Sequence, residues 1–256
     1  HGIQGPEMMK ELYDQAKRFD ADIRPGLITE VDFSSGKPPY ICKNEKGEEI
    51  SAQTVIISTG ATAKWLGIPS EQRLNGSGVS ACAVCDGFFY RGQEVAIVGA
   101  GDSACEEALY LSKLCTTVHM LIRRDQMRAS KIMQDRVLRT SNIKVYWNSE
   151  TDEILGDKVV EAVRIKNTKD GSLQEIPITG FFVAIGHTPQ SKIFSKYVET
   201  DNDGYIKVIP GTTKTNVEGV FACGDVMDRN YRQAGKASGT GCMAALEAER
   251  YLASKH

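Results

Sequence analysis

The chain has 256 residues, 41% hydrophobic and 25% charged, and 31 basic against 33 acidic side chains give a net charge of −2. That length suits one or two globular domains, and the balance excludes collagen, coiled coil and a disordered chain. Near-neutral charge leaves no electrostatic footprint for nucleic acid or an anionic membrane, and no apolar run reaches the roughly 18 residues of a spanning helix.

The N-terminus HGIQGPEMMKE has no signal-peptide pattern, so a cytoplasmic location is expected. Residues 6–19 place Met9, Leu12, Ala16 and Phe19 at helical spacing and predict an amphipathic helix. Strands are expected at 27–33, 40–43 and 54–58, with a turn at 44–47. The third strand leaves through Thr59-Gly60-Ala61. From residue 94 the pattern changes. The apolar strand Val95-Ala96-Ile97-Val98 runs into Gly99-Ala100-Gly101 and a helix with Ala104, Ala108, Leu111 and Cys115 on one face. A strand at 118–122, a hairpin turn at Asp170-Gly171 and an apolar run at 181–185 follow. A strand at 219–223 then gives way to Gly224-Asp225, a glycine-spaced turn and a closing helix from about 240 to 253. This order predicts an α/β chain with one unit inserted in another: 1–63 and 189–256 around 64–188.

Gly99-x-Gly101-x-x-Ala104, between a strand and a helix, has the setting of a dinucleotide turn. The first glycine permits the turn, the second admits a pyrophosphate, and the small third residue lets the helix pack; a plain glycine turn is the alternative. About 20 residues on, a carboxylate would accept from a ribose 2′-hydroxyl. Here Arg123 and Arg124 end the next strand, with Arg128 soon after and Asp125 just beyond the pair. Planar guanidinium forks suit a 2′-phosphate, so NADPH is expected over NADH.

Seven cysteines stand at 42, 82, 85, 105, 115, 223 and 242, and only Cys82 and Cys85 lie close together. A zinc site would need two more ligands; there is no second CxxC, and His1, His119, His187 and His256 form no ligand pair, so no metal is expected. Inert core thiols are a second option. A redox dithiol is the third, with the adjacent Asp86 as general acid–base. A flavin is the group that passes electrons from a nicotinamide to a disulfide, so a flavin is expected. Thr59-Gly60-Ala61, Gly224-Asp225 and Gln233-Ala234 before the last helix suit one part of its site. The roughly 30-residue βαβ unit that holds a flavin diphosphate is missing from the sequence, which predicts either a truncated or partly recorded chain or an incomplete flavin site.

CAVCDGFFYRG at 82–92, VGAGDSACEEALYL at 98–111, RRDQMRAS at 123–130, FFVAIGHTP at 181–189, GVFACGDV at 219–226 and YRQAGKASGTGCMAALEAERYL at 231–252 together closely resemble the low-molecular-weight, bacterial-type thioredoxin reductases. The resemblance runs in order along nearly the whole chain. It implies two three-layer, Rossmann-like dinucleotide-binding domains, the NADPH domain (64–188, with the CxxC) inserted in the FAD domain (1–63 and 189–256). It also implies a homodimer passing electrons from NADPH to FAD, to Cys82–Cys85 and to thioredoxin. By similarity Cys85 faces the flavin, Asp86 is the acid, and Cys82 attacks thioredoxin. Asp102, Ser103 and Arg232 join the cofactor-binding residues through their place in these motifs. Phe88-Phe89 resemble an aromatic pair near the partner surface, with core packing the alternative. The other functions open to the sequence are the flavoprotein subunit of a peroxide-reducing system, an NADPH-binding module without turnover, and a zinc-binding structural protein.

Overall fold

The structure is a computed structural model describing residues 2–255, so His1 and His256 lie outside the described residues. It divides into two compact units, Ala61–Thr188 and the residues on either side, up to Gly60 and from Pro189 onward.

The unit Ala61–Thr188 is built on a five-stranded parallel sheet in the order Val79–Ser80, Gly180–Val183, Glu94–Val98, Thr117–Ile122, Ile143–Trp147. Near-continuous apolar runs suit strands buried on both faces. Val95 and Ile97 turn to one face, against Ala104, Ala108 and Leu111 of the helix Asp102–Ser112. Ala96 and Val98 turn to the other, against Ile154, Val163 and Ile176. Those three residues come from an antiparallel sheet of Ser149–Leu155, Ala162–Asn167 and Leu173–Pro177. The result is three layers: helices, parallel sheet, antiparallel sheet. The Asp170-Gly171 turn joins the last two antiparallel strands, with Gly171 N donating to Asn167 O at 2.9 Å. Most of that layer escaped the sequence reading because its outward positions are charged; Arg164, for example, bridges Asp152 and Glu153.

In the other unit, Ile28–Asp32, Tyr40–Asn44 and Glu49–Ala52 form an antiparallel sheet, and Val55–Ile57 pairs in parallel with Val220–Ala222. Phe33, Tyr40, Ile57, Phe194 and Ile206 form its core. The helix Gly5–Arg18 forms as its spacing predicts, yet it has no buried residue, and Met9 is 60% exposed among the described residues.

The closing helix departs from expectation. It begins at Ala234 rather than near 240, so Gly235, Gly239 and Gly241 lie inside it rather than in a turn before it. Glycine costs a helix interior about 1 kcal/mol relative to alanine. Burial of Thr240, Ala244 and Ala248 offsets that cost and carries the helix through the glycine run. Among the described residues no helix is long and apolar enough to cross a membrane.

Candidate active site

Gly99 carries φ +152°, and a Cβ there would stand 2.3 Å from Ala184 O and 2.7 Å from Ala104 Cβ. The turn therefore requires glycine, and Ala104 can be no larger without lifting its helix from the sheet. Gly101 is the N-cap residue of Asp102–Ser112, with no side-chain cap. A Cβ at Gly101 would meet nothing within 4 Å, so the helix N-terminus opens on free space. Uncapped N–H groups and the positive dipole end suit a phosphate there. A cavity of about 480 Å³ adjoins the turn, lined among others by Gly99, Ala100, Ile122, Arg123, Arg124 and Arg128.

The three arginines are exposed, and none of their guanidinium groups makes an ion pair or side-chain hydrogen bond among the described residues. An open helix N-terminus beside three uncommitted guanidinium groups fits a dinucleotide carrying a 2′-phosphate. The backbone of their loop is tied down. Met127 and Ala129 are buried in the core, and Arg128 N and Ala129 N both donate to Ala100 O, at 2.7 and 3.0 Å. Asp102 Oδ1 accepts from Ser130 N at 2.9 Å and from Ser130 Oγ at 2.8 Å. The Ser130 amide, and then its hydroxyl, hold the Asp102 carboxyl below the usual aspartate range. Ser103 is exposed in the same first helical turn.

Cys82 and Cys85 are joined in a disulfide at the start of the short helix Ala83–Asp86, and Cys85 N donates to Cys82 Sγ at 3.2 Å. Ala83 is fully buried in the cluster that holds Val95, Ala104 and Leu111. Its N–H donates to Glu107 Oε2 at 3.3 Å. One helix thus opens the dinucleotide turn at its first residue and supports the cysteine turn through Glu107 and Leu111. Asp86 Oδ2 accepts from Ser80 Oγ at 2.6 Å, and the same oxygen of Ser80 accepts from Cys82 N at 3.0 Å. Ser80 was missed in the sequence, where nothing but proximity to the cysteines marks it. Phe88 and Phe89 are 62% and 73% exposed, so they are surface residues and not core packing. In the apolar cluster that holds Ala83, burial pushes the Cys105 and Cys115 thiols up to about 11. Among the described residues no three His, Cys, Asp or Glu are grouped to hold a metal ion.

The residues expected to meet a flavin fall at strand ends. Thr59 Oγ1 donates to Gln190 O at 2.6 Å, and Gln190 N donates to Gly60 O at 2.9 Å, which shapes the turn after Val55–Ile57; Ala61 opens the next short strand. Gly224 N donates to Thr240 Oγ1 at 3.0 Å, seating the 3-10 turn Gly224–Val226 against the closing helix. Asp225 in that turn is half-buried and makes no hydrogen bond among the described residues. Burial and then the charge of Asp228 raise its pKa, while Arg232 opposes them. Gln233 is the N-cap residue, with no side-chain cap, of the helix that Ala234 begins. A half-buried carboxylate without a donor, in a turn packed on an uncapped helix, fits the hydroxyls and ring edge of a flavin. The Gly99–Ala104 turn is the one strand-to-helix G-x-G-x-x-A turn among the described residues, so they include no second phosphate-binding turn of that kind.

The family model described as pyridine nucleotide-disulphide oxidoreductase matches residues 4–241. A thioredoxin reductase of Rickettsia conorii is 49% identical over 253 residues, covering 98% of this chain and 81% of the relative. Thioredoxin reductase 1 of Saccharomyces cerevisiae is 45% identical over 258 residues, 99% and 81% of the two chains. Among solved structures, thioredoxin reductase from Giardia duodenalis superposes with a TM-score of 0.93 at 42% identity, covering 98% of this chain and 82% of that one. That from Streptococcus pyogenes gives 0.91 at 35% identity, with 98% and 81% covered.

Proposed function

This chain belongs to the pyridine nucleotide-disulphide oxidoreductases and, within them, to the low-molecular-weight thioredoxin reductases, and from that premise we propose which of its residues do the chemistry. The enzyme is an NADPH-dependent flavoprotein disulfide reductase that works with FAD and NADPH. The observation that carries the residue assignment is the Cys82–Cys85 disulfide, packed against the helix that follows the cavity-lining turn Gly99-Ala100.

In this reading the unit 64–188 is the NADPH domain. Gly99 and Gly101 admit the pyrophosphate to the N-terminus of Asp102–Ser112, and Arg123, Arg124 and Arg128 take the 2′-phosphate. The flanking unit is the FAD domain, where Asp225 and Gln233-Ala234 would hold the flavin. FAD, when bound, supplies the relay of an electron pair between nicotinamide and disulfide. The chain's own part is sulfur and proton chemistry. Two electrons break the Cys82–Cys85 bond and leave two sulfur atoms as thiol or thiolate. The Cys82 thiolate attacks one sulfur of the thioredoxin disulfide, releasing the other as a thiolate and forming a mixed disulfide. Cys85 then attacks Cys82, which re-forms the internal disulfide and expels reduced thioredoxin. Asp86 hands protons to the leaving sulfurs, with Ser80 holding one of its oxygens so that the other is free to exchange.

Thioredoxin as the partner, a homodimer and a cytoplasmic location rest on the likeness to thioredoxin reductases. The exposed Phe88 and Phe89 beside the cysteines support a protein partner at this surface. Cys85→Ser tests the assignment: thioredoxin reduction is expected to vanish while NADPH still bleaches the bound flavin. Thioredoxin turnover at a comparable rate in that variant would refute it. Turnover with thioredoxin and none with a peroxiredoxin separates this reading from the peroxide-reducing one.

A further inference from the structure

The selectivity of the dinucleotide site depends on where the loop 123–130 holds its arginines, and two contacts fix the C-terminal end of that loop to the glycine turn. One is backbone to backbone, Arg128 N and Ala129 N on Ala100 O. The other depends on side-chain identity: Asp102 Oδ1 accepts from both the amide and the hydroxyl of Ser130.

Both residues of this second contact forgo their usual local role. Ser130 is the N-cap residue of the helix Lys131–Arg139, a position where a serine oxygen ordinarily accepts from its own helix, yet it makes no side-chain cap. Its hydroxyl donates across 28 positions to Asp102 instead. Asp102 is the first residue of the helix that follows the cavity-lining turn Gly99-Ala100. A carboxylate there competes with a phosphate for the same positive dipole end. Its oxygen is directed at the arginine loop, and two hydrogen bonds occupy it.

We infer that Asp102 and Ser130 form a positioning pair that sets NADPH over NADH, by holding the arginine loop where its guanidinium groups meet the 2′-phosphate, and that Asp102 is not itself a nucleotide ligand. The inference rests on the dinucleotide reading above. It moves Asp102 from a contact with the cofactor to a contact with the residues that select the cofactor.

Equilibrium binding of 2′,5′-ADP and 5′-AMP to the purified protein provides the test, because the two probes differ in the 2′-phosphate. Asp102→Asn and Asp102→Ala remove the same charge, so the difference between their affinity ratios isolates the loop. Asp102→Ala is expected to lower the preference for 2′,5′-ADP roughly fivefold, the scale of one or two hydrogen bonds lost. Asp102→Asn keeps an oxygen that accepts both bonds and should hold the preference within about twofold of the parent protein. Ser130→Ala removes the hydroxyl and keeps the N–H, so its loss should be smaller than that of Asp102→Ala. An equal change for both probes in Asp102→Ala, or an unchanged ratio, overturns the inference. Should Asp102→Ala not fold, an unchanged ratio in Ser130→Ala overturns it. Arg123→Ala and Arg128→Ala separate the two levels. If both keep the preference, the 2′-phosphate reading fails. If they lose it while Asp102→Ala and Ser130→Ala keep it, only the positioning pair fails.

Discussion

Replacing Ser80 with alanine removes one oxygen that serves both halves of the redox site. That oxygen donates to Asp86 Oδ2 at 2.6 Å and accepts from Cys82 N at 3.0 Å, on a residue only 8% exposed. A hydrogen bond to a charged group contributes about 1.5–3 kcal/mol, and orphaning a buried N–H costs about 1–3 kcal/mol. Asp86 and Cys82 are both half-buried, so water replaces part of what each loses. The net local loss is about 2 kcal/mol, which at 1.4 kcal/mol per factor of ten is roughly thirtyfold in local opening. Hydrogen exchange at the Cys82 amide should therefore speed up about thirtyfold. Thioredoxin reduction should fall about tenfold or more, while the KM for NADPH stays within about twofold because the dinucleotide cavity is untouched. Ser80→Thr retains the hydroxyl and should restore both readouts in large part. Normal Cys82 exchange together with normal turnover in Ser80→Ala would refute the reasoning.

Two further outcomes follow from packing and ionisation. Gly99→Ala would drive a Cβ to 2.3 Å from Ala184 O in a backbone conformation unfavourable to alanine. Overpacking and backbone strain together cost about 2–4 kcal/mol, so the KM for NADPH should rise at least about tenfold and thermal stability should drop; a variant matching the parent in both would contradict the turn geometry. Burial raises the Cys105 and Cys115 thiols from 9.0 to about 11, which holds them protonated at neutral pH, with about a hundredfold less thiolate than an unshifted group. Brief alkylation of the folded, reduced protein should therefore mark Cys82, Cys85 and the exposed Cys242 and spare those two, and mass spectrometry showing equal labelling would count against it.

What the sequence determined by itself is local. The strand–glycine–helix turn at 94–112, the arginines ending the next strand and the Cys82–Cys85 spacing each lie within a few residues, where steric rules and hydrophobic periodicity act. The helix Gly5–Arg18, the strand Glu94–Val98 and the buried face of Asp102–Ser112 were legible for the same reason. The start of the closing helix was not, because glycine's weak helix propensity was overridden by burial of Thr240, Ala244 and Ala248. Nor was most of the antiparallel layer 149–177, whose charged outward positions mask the alternation beneath them. The contacts that tie the proposed site together were decided only by the fold: Ser80 on Asp86, Glu107 on Ala83, Ser130 on Asp102. Those pairs stand 6, 24 and 28 positions apart. A hydrogen bond over such separations leaves no periodic trace in the chain. It forms once the parallel sheet and its helices have buried their apolar faces and brought the partners within reach.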